Sequence, residues 1–172
     1  MTPTRFTELP PGLVALTATA RGMIDHNLSR AARMAYGELL PTVAKAGLMD
    51  QVRSCIALMP DEPQAPDDPA CRFVAGVVFG FDLVSRAGRC AQPELPLSGS
   101  LAWWPVAEGR YAVFTHLGPY TELHRCWNSV HRGWLPASGE ALRDAPPMEL
   151  TLNDPGDTPP EKLHTELWLP LR

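Results

Sequence analysis

Six short stretches of the chain carry an apolar pattern that suits strands, and two longer ones carry apolar residues at helical spacing. Leu13 to Thr19 (LVALTAT) reads as the first strand. A helix follows, opening near Asp25 or Asn27, either of which can accept a free N–H of the first turn. Leu28, Ala32, Ala35, Leu39 and Val43 form its apolar stripe, and Gly47 is placed to stop it. Pro41 has no N–H to give to the preceding turn, so a kink or a break is expected there. Ser54 to Met59 (SCIALM) and Cys71 to Phe79 (CRFVAGVVF) are the next strands, joined by the polar, proline-rich PDEPQAPDDPA.

After a second proline-bearing link, Ala91 to Leu97, the order repeats. Arg110 to His116 (RYAVFTH) is a strand and GPY a turn. Thr121 can cap a helix whose stripe is Leu123, Trp127, Val130 and Trp134, and Pro136 and Gly139 end it. Trp127 and Trp134 read as core residues. Pro147 to Asn153 and Leu163 to Leu171 are the last strands, separated by the turn-rich DPGDTPPE. The expected fold is therefore α+β in one domain, 1–172. Two pseudo-symmetric βαββ units, 1–90 and 98–172, carry antiparallel sheets, with helices on one face and a ligand cleft between the units.

Alternation within the last two strands bears on function. Met148, Leu150 and Leu152 form one face of their strand, with Glu149, Thr151 and Asn153 on the other. Leu163, Leu167 and Leu169 oppose His164, Glu166 and Trp168. If both leucine faces lie under the helices, Glu149, Glu166 and Trp168 gather on the opposite side of the sheet. A carboxylate among aromatic rings suits cationic, planar or amphipathic ligands, because rings attract cations and a buried carboxylate needs a counter-charge. Tyr111 alternates with Val113 and Thr115, and its face is left open, as is the direction of the Trp103-Trp104 pair.

Composition narrows the classes without changing this outline. The net charge is −4 and no stretch concentrates Lys and Arg, which argues against direct nucleic-acid binding. No run of about 18 apolar residues suggests a membrane span, and MTPTRFTELPPG lacks the layout of a secretion signal, so a cytoplasmic location is expected. The four cysteines have no CxxC spacing and read as reduced thiols. There is no GxSxG, HExxH or phosphate-cradling glycine loop. His124 and His131 can share a helix face but lack a third ligand at suggestive spacing, so neither a metal nor a cofactor is expected.

The stretch from Pro105 to Arg172 resembles the GyrI-like small-molecule-binding domain. Its marks are EGRYAVFTHLGPY, a helix holding Trp127 and running into WLPASG, Glu149 ahead of Asn153-Asp154-Pro155, and the closing Leu169-Pro170-Leu171. The first half matches loosely, through strand order and RFVAGVVF. The resemblance implies the effector-binding part of AraC-type and multidrug-responsive bacterial regulators, or a stand-alone relative. It implies Glu149 as the central acid of the pocket and Tyr120 of the GPY turn as a pocket aromatic. With Trp168, Glu166, Tyr111 and Trp104, these are the candidate ligand-binding residues. Where the family often has an aromatic two residues after the glutamate, this chain has Thr151.

Three functions follow from this reading. The first is binding of small aromatic or cationic molecules for sensing or sequestration, as a monomer or weak dimer; no helix-turn-helix is expected, so a transcriptional role needs a separate regulator. The second is a hydrolase of strained electrophiles of the cyclopropane type, with Glu149 activating water and Tyr120 steadying the leaving group. The third is interaction with a protein such as gyrase, like the family's namesake.

Overall fold

The computed structural model describes residues 1–172. Nine strands form one sheet in which every pairing is antiparallel. In chain order they are β1 (Arg5–Leu9), β2 (Val14–Arg21), β3 (Val52–Leu58), β4 (Arg72–Asp82), β5 (Ala87–Ala91), β6 (Ala102–Pro105), β7 (Gly109–Leu117), β8 (Met148–Thr151) and β9 (His164–Pro170). Their spatial order is β1-β7-β9-β8-β3-β4-β2-β6, with β5 alongside β4. The six expected strands are present at β2, β3, β4, β7, β8 and β9.

The three further strands are short and lie at the sheet's margins, where alternation is weakly imposed. β1 lies at one end of the sheet order and leaves Phe6 half exposed, while β6 ends the other side on Pro105. β5 takes Ala91, so the proline-bearing link begins at Gln92.

The first helix, α1, runs Ser29–Lys45 without a break. Pro41 sits on its exposed side, where water can serve the carbonyl left without a donor, so the expected split does not occur. Leu28 is the residue at the N-cap, and the capping oxygen comes from one position earlier: Asn27 Oδ1 accepts the Ser29 N–H at 2.6 Å. Gly47, at φ +71°, closes the other end. Leu48 N–H bonds the carbonyl of Val43 and Gly47 N–H that of Ala44, a Schellman arrangement.

The second helical region is segmented. A 3₁₀ turn, Tyr120–Glu122, leads into α2 (Leu123–Asn128), then a π-helical turn, Ser129–Trp134, then α3 (Leu135–Ser138). Thr121 lies inside the 3₁₀ turn and makes no capping bond, because the chain enters the helix from Pro119. Pro136 opens the last turn, where a missing N–H costs little, and Gly139 at φ +74° ends it.

Directly paired residues share a face, and Ala57, Glu149, Leu167 and Phe114 are paired in series across β3, β8, β9 and β7. On this face α1 sets Ala31, Ala35, Leu39 and Val43 against Leu16, Ala18, Ala57, Ala75 and Val77. The second helical region sets Leu123 and Val130 against Ala112, Phe114, Leu167 and Leu169. The other face curls onto itself and closes around Leu9, Ile56, Val74, Val78, Tyr111, Val113, Met148, Leu150 and Trp168. Each large side chain buried this way contributes roughly 1.5–3 kcal/mol, so this interior is a main source of stability.

These pairings correct the expected faces. Met148 pairs with Trp168 and Leu150 with Glu166, so the apolar face of β8 lies with the Trp168 face of β9, away from the helices. Glu149 and Glu166 therefore point to opposite sides of the sheet. Alternation assigns faces within each strand but cannot set the phase between two strands, and a shift of one residue reverses it. No helix is long and apolar enough to cross a membrane.

Candidate functional site

α1 covers β2 and β4 and reaches Ala57 of β3, and the second helical region covers β7 and β9, leaving a gap over β8 and the adjoining part of β3 between them. The result is an open cleft on the helix side of the sheet, part of a continuous groove of about 2080 Å³ that also runs past the loops after β3 and before β8. Its floor is Cys55 and Ala57 of β3, Glu149 and Thr151 of β8 and Thr165 of β9. One wall is Ala32, Tyr36 and Leu40 of α1, and the other is Tyr120, Leu123, Trp127 and His131. Drug-sized ligands occupy roughly 300–1,000 Å³, so the space can accept a bulky organic molecule.

Glu149 is the acid of this floor. Trp127 Nε1–H donates to its Oε1 at 2.7 Å, and none of the chain's ion pairs includes it. Burial drives its carboxyl up from 4.5 to about 7, and the Trp127 hydrogen bond offsets only part of that rise. The acid is thus poised between its neutral and ionised forms at neutral pH.

Its neighbours add rings but no fixed positive charge. Tyr36 donates its hydroxyl to the Ile56 carbonyl at 2.8 Å and meets Phe73 edge-on at 5.9 Å. Trp127 stacks on His131 at 5.6 Å. Burial pushes the Tyr36 and Tyr120 phenols and the Cys55 thiol well into their neutral forms, and it holds His131 below its ordinary value. Thr151 interacts with both phenols, favouring their ionised forms less than burial disfavours them. The place where a ring would follow the glutamate is thus taken by a small hydroxyl, and aromatic surface comes from α1 instead.

The candidates named from sequence separate into two groups. Glu149 and Tyr120 come together in the cleft. Glu166, Trp168 and Tyr111 lie in the closed interior on the opposite face. Glu166 accepts two bonds from Arg5, at 2.5 and 2.8 Å, and a third from Trp168 Nε1 at 3.0 Å. Tyr111 packs edge-on against Trp168 at 5.6 Å and donates its hydroxyl to the Ala107 carbonyl. Trp104 packs partly buried against that same interior, with the Arg72 guanidinium 5.9 Å from its ring.

Tyr36 and the indole N–H of Trp127 escaped the sequence reading. Tyr36 stands one position beyond Ala35 of the buried stripe, and Ala32, Tyr36 and Leu40 make a second row four residues apart on its flank. That row is the signal that could have found it. Trp127 does pack with the apolar cluster under its helix, as a core residue would, while its polar edge reaches Glu149.

Comparison with known proteins agrees with this architecture. A probable transcriptional regulator of Escherichia coli (strain K12), YgiV, is 33% identical over 106 residues, 61% of this chain and 62% of that protein's length. The crystallised C-terminal domain of EcmrR superposes with a TM-score of 0.64 over 98% of this chain and 96% of its own, at 14% identity. A longer EcmrR chain, of which 56% is covered, has been seen in complex with DNA, with a TM-score of 0.64 at 15% identity. A hydrolase from Listeria innocua matches with a TM-score of 0.58 at 16% identity, over 99% of this chain and 92% of that one. SAV2435, solved with tetraphenylphosphonium bound, matches with a TM-score of 0.55 at 17% identity, over 98% and 93%. At such identities these structures speak to fold alone. The model of the GyrI-like small molecule binding domain spans residues 3–172, from ahead of β1 to the last residue, and the chain belongs to that family.

Proposed function

We propose that the protein is a receptor for small organic cations, aromatic or amphipathic, which it holds between α1 and α2 for sensing or sequestration. The observation that carries this reading is the Glu149 carboxyl on the cleft floor, walled by Tyr36, Tyr120 and Trp127 and paired with no cationic side chain. Rings supply apolar area and attraction for a cation, and the unpaired carboxylate supplies the counter-charge. We read residues 1–90 and 98–172 as two βαββ units that meet at the β3–β8 seam and exchange the marginal strands β1 and β6, which sets the cleft astride their junction. The net charge of −4 suits a cytoplasmic receptor that does not itself touch nucleic acid and acts on transcription, if at all, through a separate regulator.

Titration with tetraphenylphosphonium, followed by quenching of tryptophan fluorescence, tests the reading. Saturable binding at micromolar concentration that weakens at least tenfold in Glu149→Gln supports it. Equal affinity of Glu149→Gln and wild type removes Glu149 from the ligand site.

A hydrolytic reading is favoured by one feature, an acid titrating near neutrality with the Tyr120 phenol on the same cleft. Glu149 would then take a proton from water as it attacks a strained ring, and Tyr120 would donate to the leaving group. Incubation with a cyclopropane-bearing alkylator, followed by mass spectrometry, decides it: ring opening no faster than in buffer eliminates this reading.

A further inference from the structure

The cation-binding reading above leaves open what controls occupancy, and the two oxygens of Glu149 bear on this. Oε1 accepts the Trp127 Nε1–H, whereas Oε2 has no protein donor. Nor is Oε2 sealed off: the buried side-chain polar atoms without partners belong to Arg143, His164 and Thr165. When the carboxyl is neutral its proton therefore belongs on Oε2, since Oε1 already meets an N–H hydrogen. Oε2 is also the oxygen left with free lone pairs for a positive group that enters the cleft.

We infer that cation and proton compete for this one oxygen, so that an organic monocation docks against Glu149 Oε2 as that oxygen gives up its proton. The exchange balances in charge: the neutral acid and the ligand cation become a carboxylate–cation pair, and one proton leaves to solvent. A ligand without charge gains nothing from the exchange, so the site discriminates monocations from neutral molecules of equal shape, and does so less well in acid.

Other titratable groups stand around the acid, and among them the imidazoles of His131 and His124 on the cleft wall are the ones whose class changes charge near neutrality. From α1 comes Tyr36, from β3 Cys55, from the 3₁₀ turn Tyr120 and from α2 Cys126, all with protons held more tightly than usual because they are buried. His131 of the π-helical turn is held below its ordinary value by burial, with Glu62 opposing. Asp154, on the loop after β8, adds negative charge that acts on Cys55 and Tyr120. With the Glu149 midpoint at about 7, ionised acid is scarce at pH 5.5 and nearly complete at pH 8.5.

Isothermal titration of the intact protein with tetraphenylphosphonium tests this, because the probe's charge does not depend on pH. The dissociation constant should be about thirty-fold weaker at pH 5.5 than at pH 8.5, in proportion to the ionised fraction. Runs in two buffers of different ionisation enthalpy should register about one proton released per cation at pH 5.5 and almost none at pH 8.5. Glu149→Gln should bind weakly and without that slope, and triphenylphosphine oxide, a neutral analogue, should bind the wild type alike at both pH values. Tight binding of the cation at every pH with no proton release overturns the exchange and leaves the receptor reading standing. A full slope that survives in Glu149→Gln overturns it too, and moves the titration to a histidine of the cleft wall, His131 or His124. Absence of tetraphenylphosphonium binding at all three of pH 5.5, 7 and 8.5 defeats the receptor reading and the exchange together.

Discussion

Replacing Glu149 by Gln should stabilise the ligand-free protein, by an amount that grows with pH. In the unfolded chain the carboxyl ionises near 4.5, and in the fold near 7. Between those values the folded state holds a proton that the unfolded chain has lost. The contribution to stability is thus complete below pH 4.5 and is lost as the pH climbs through 7. At about 1.4 kcal/mol per pH unit the loss amounts to roughly 3 kcal/mol. A carboxyl still partly in touch with solvent keeps some hydration, which trims this to about 2 kcal/mol. Gln retains an oxygen for the Trp127 N–H and carries no charge, so it escapes the loss. Urea denaturation of both proteins at pH 5 and pH 8.5 measures the gap directly. The Gln variant should be ahead by about 0.5 kcal/mol at pH 5 and by about 2 kcal/mol at pH 8.5, the latter about 4–8 °C in melting temperature for a domain of this size. Stability differences that stay constant across this range would refute the claim that burial raises the Glu149 midpoint.

Three further outcomes follow from the two faces of the sheet. Trp127→Phe removes the donor that favours the carboxylate, so the Glu149 midpoint should rise further, measurable by carbon-detected NMR titration of its carboxyl. Arg5→Ala strips Glu166, whose side chain is 4% exposed, of its charged partner; a cost of about 3 kcal/mol is expected in chemical denaturation, with affinity for tetraphenylphosphonium unchanged. Trp168→Ala opens a hole in the closed interior and should cost about 3–5 kcal/mol, again without altering that affinity in the folded fraction. A large drop in affinity in either of the last two variants would place the ligand on the curled face and contradict the cleft assignment.

Much of the architecture was legible because burial leaves a periodic trace. Strands β2, β3, β4, β7, β8 and β9 each keep enough apolar residues to show as strands, and α1 and α2 show their stripes at helical spacing. Gly47 could be read as a stop because few residues other than glycine accept its backbone conformation. The marginal strands left no such trace: β1 and β6 end the sheet order, and β5 is an exposed spur. Local chemistry also misled where a neighbour decided the matter. Thr121 has the side chain of a cap, yet the turn from Pro119 brings it into the helix, and Pro41 breaks nothing because its side of α1 faces water.

For the site, the sequence by itself determined that Glu149 opposes Met148 and Leu150, and that a ring-bearing helix and a GPY turn precede it. Those facts depend only on alternation and order along one strand. Which side of the sheet Glu149 occupies depended on the pairing of β8 with β9 and β3, a long-range register that no local pattern encodes. The tertiary structure therefore decided that Glu166 and Trp168 stabilise a closed interior while Glu149 lines an open cleft. It alone brought Tyr36, more than a hundred positions before Glu149, to the cleft wall opposite Trp127. Two helices can flank a bare seam only after the sheet has assembled, and the burial that tunes the acid arises at that step.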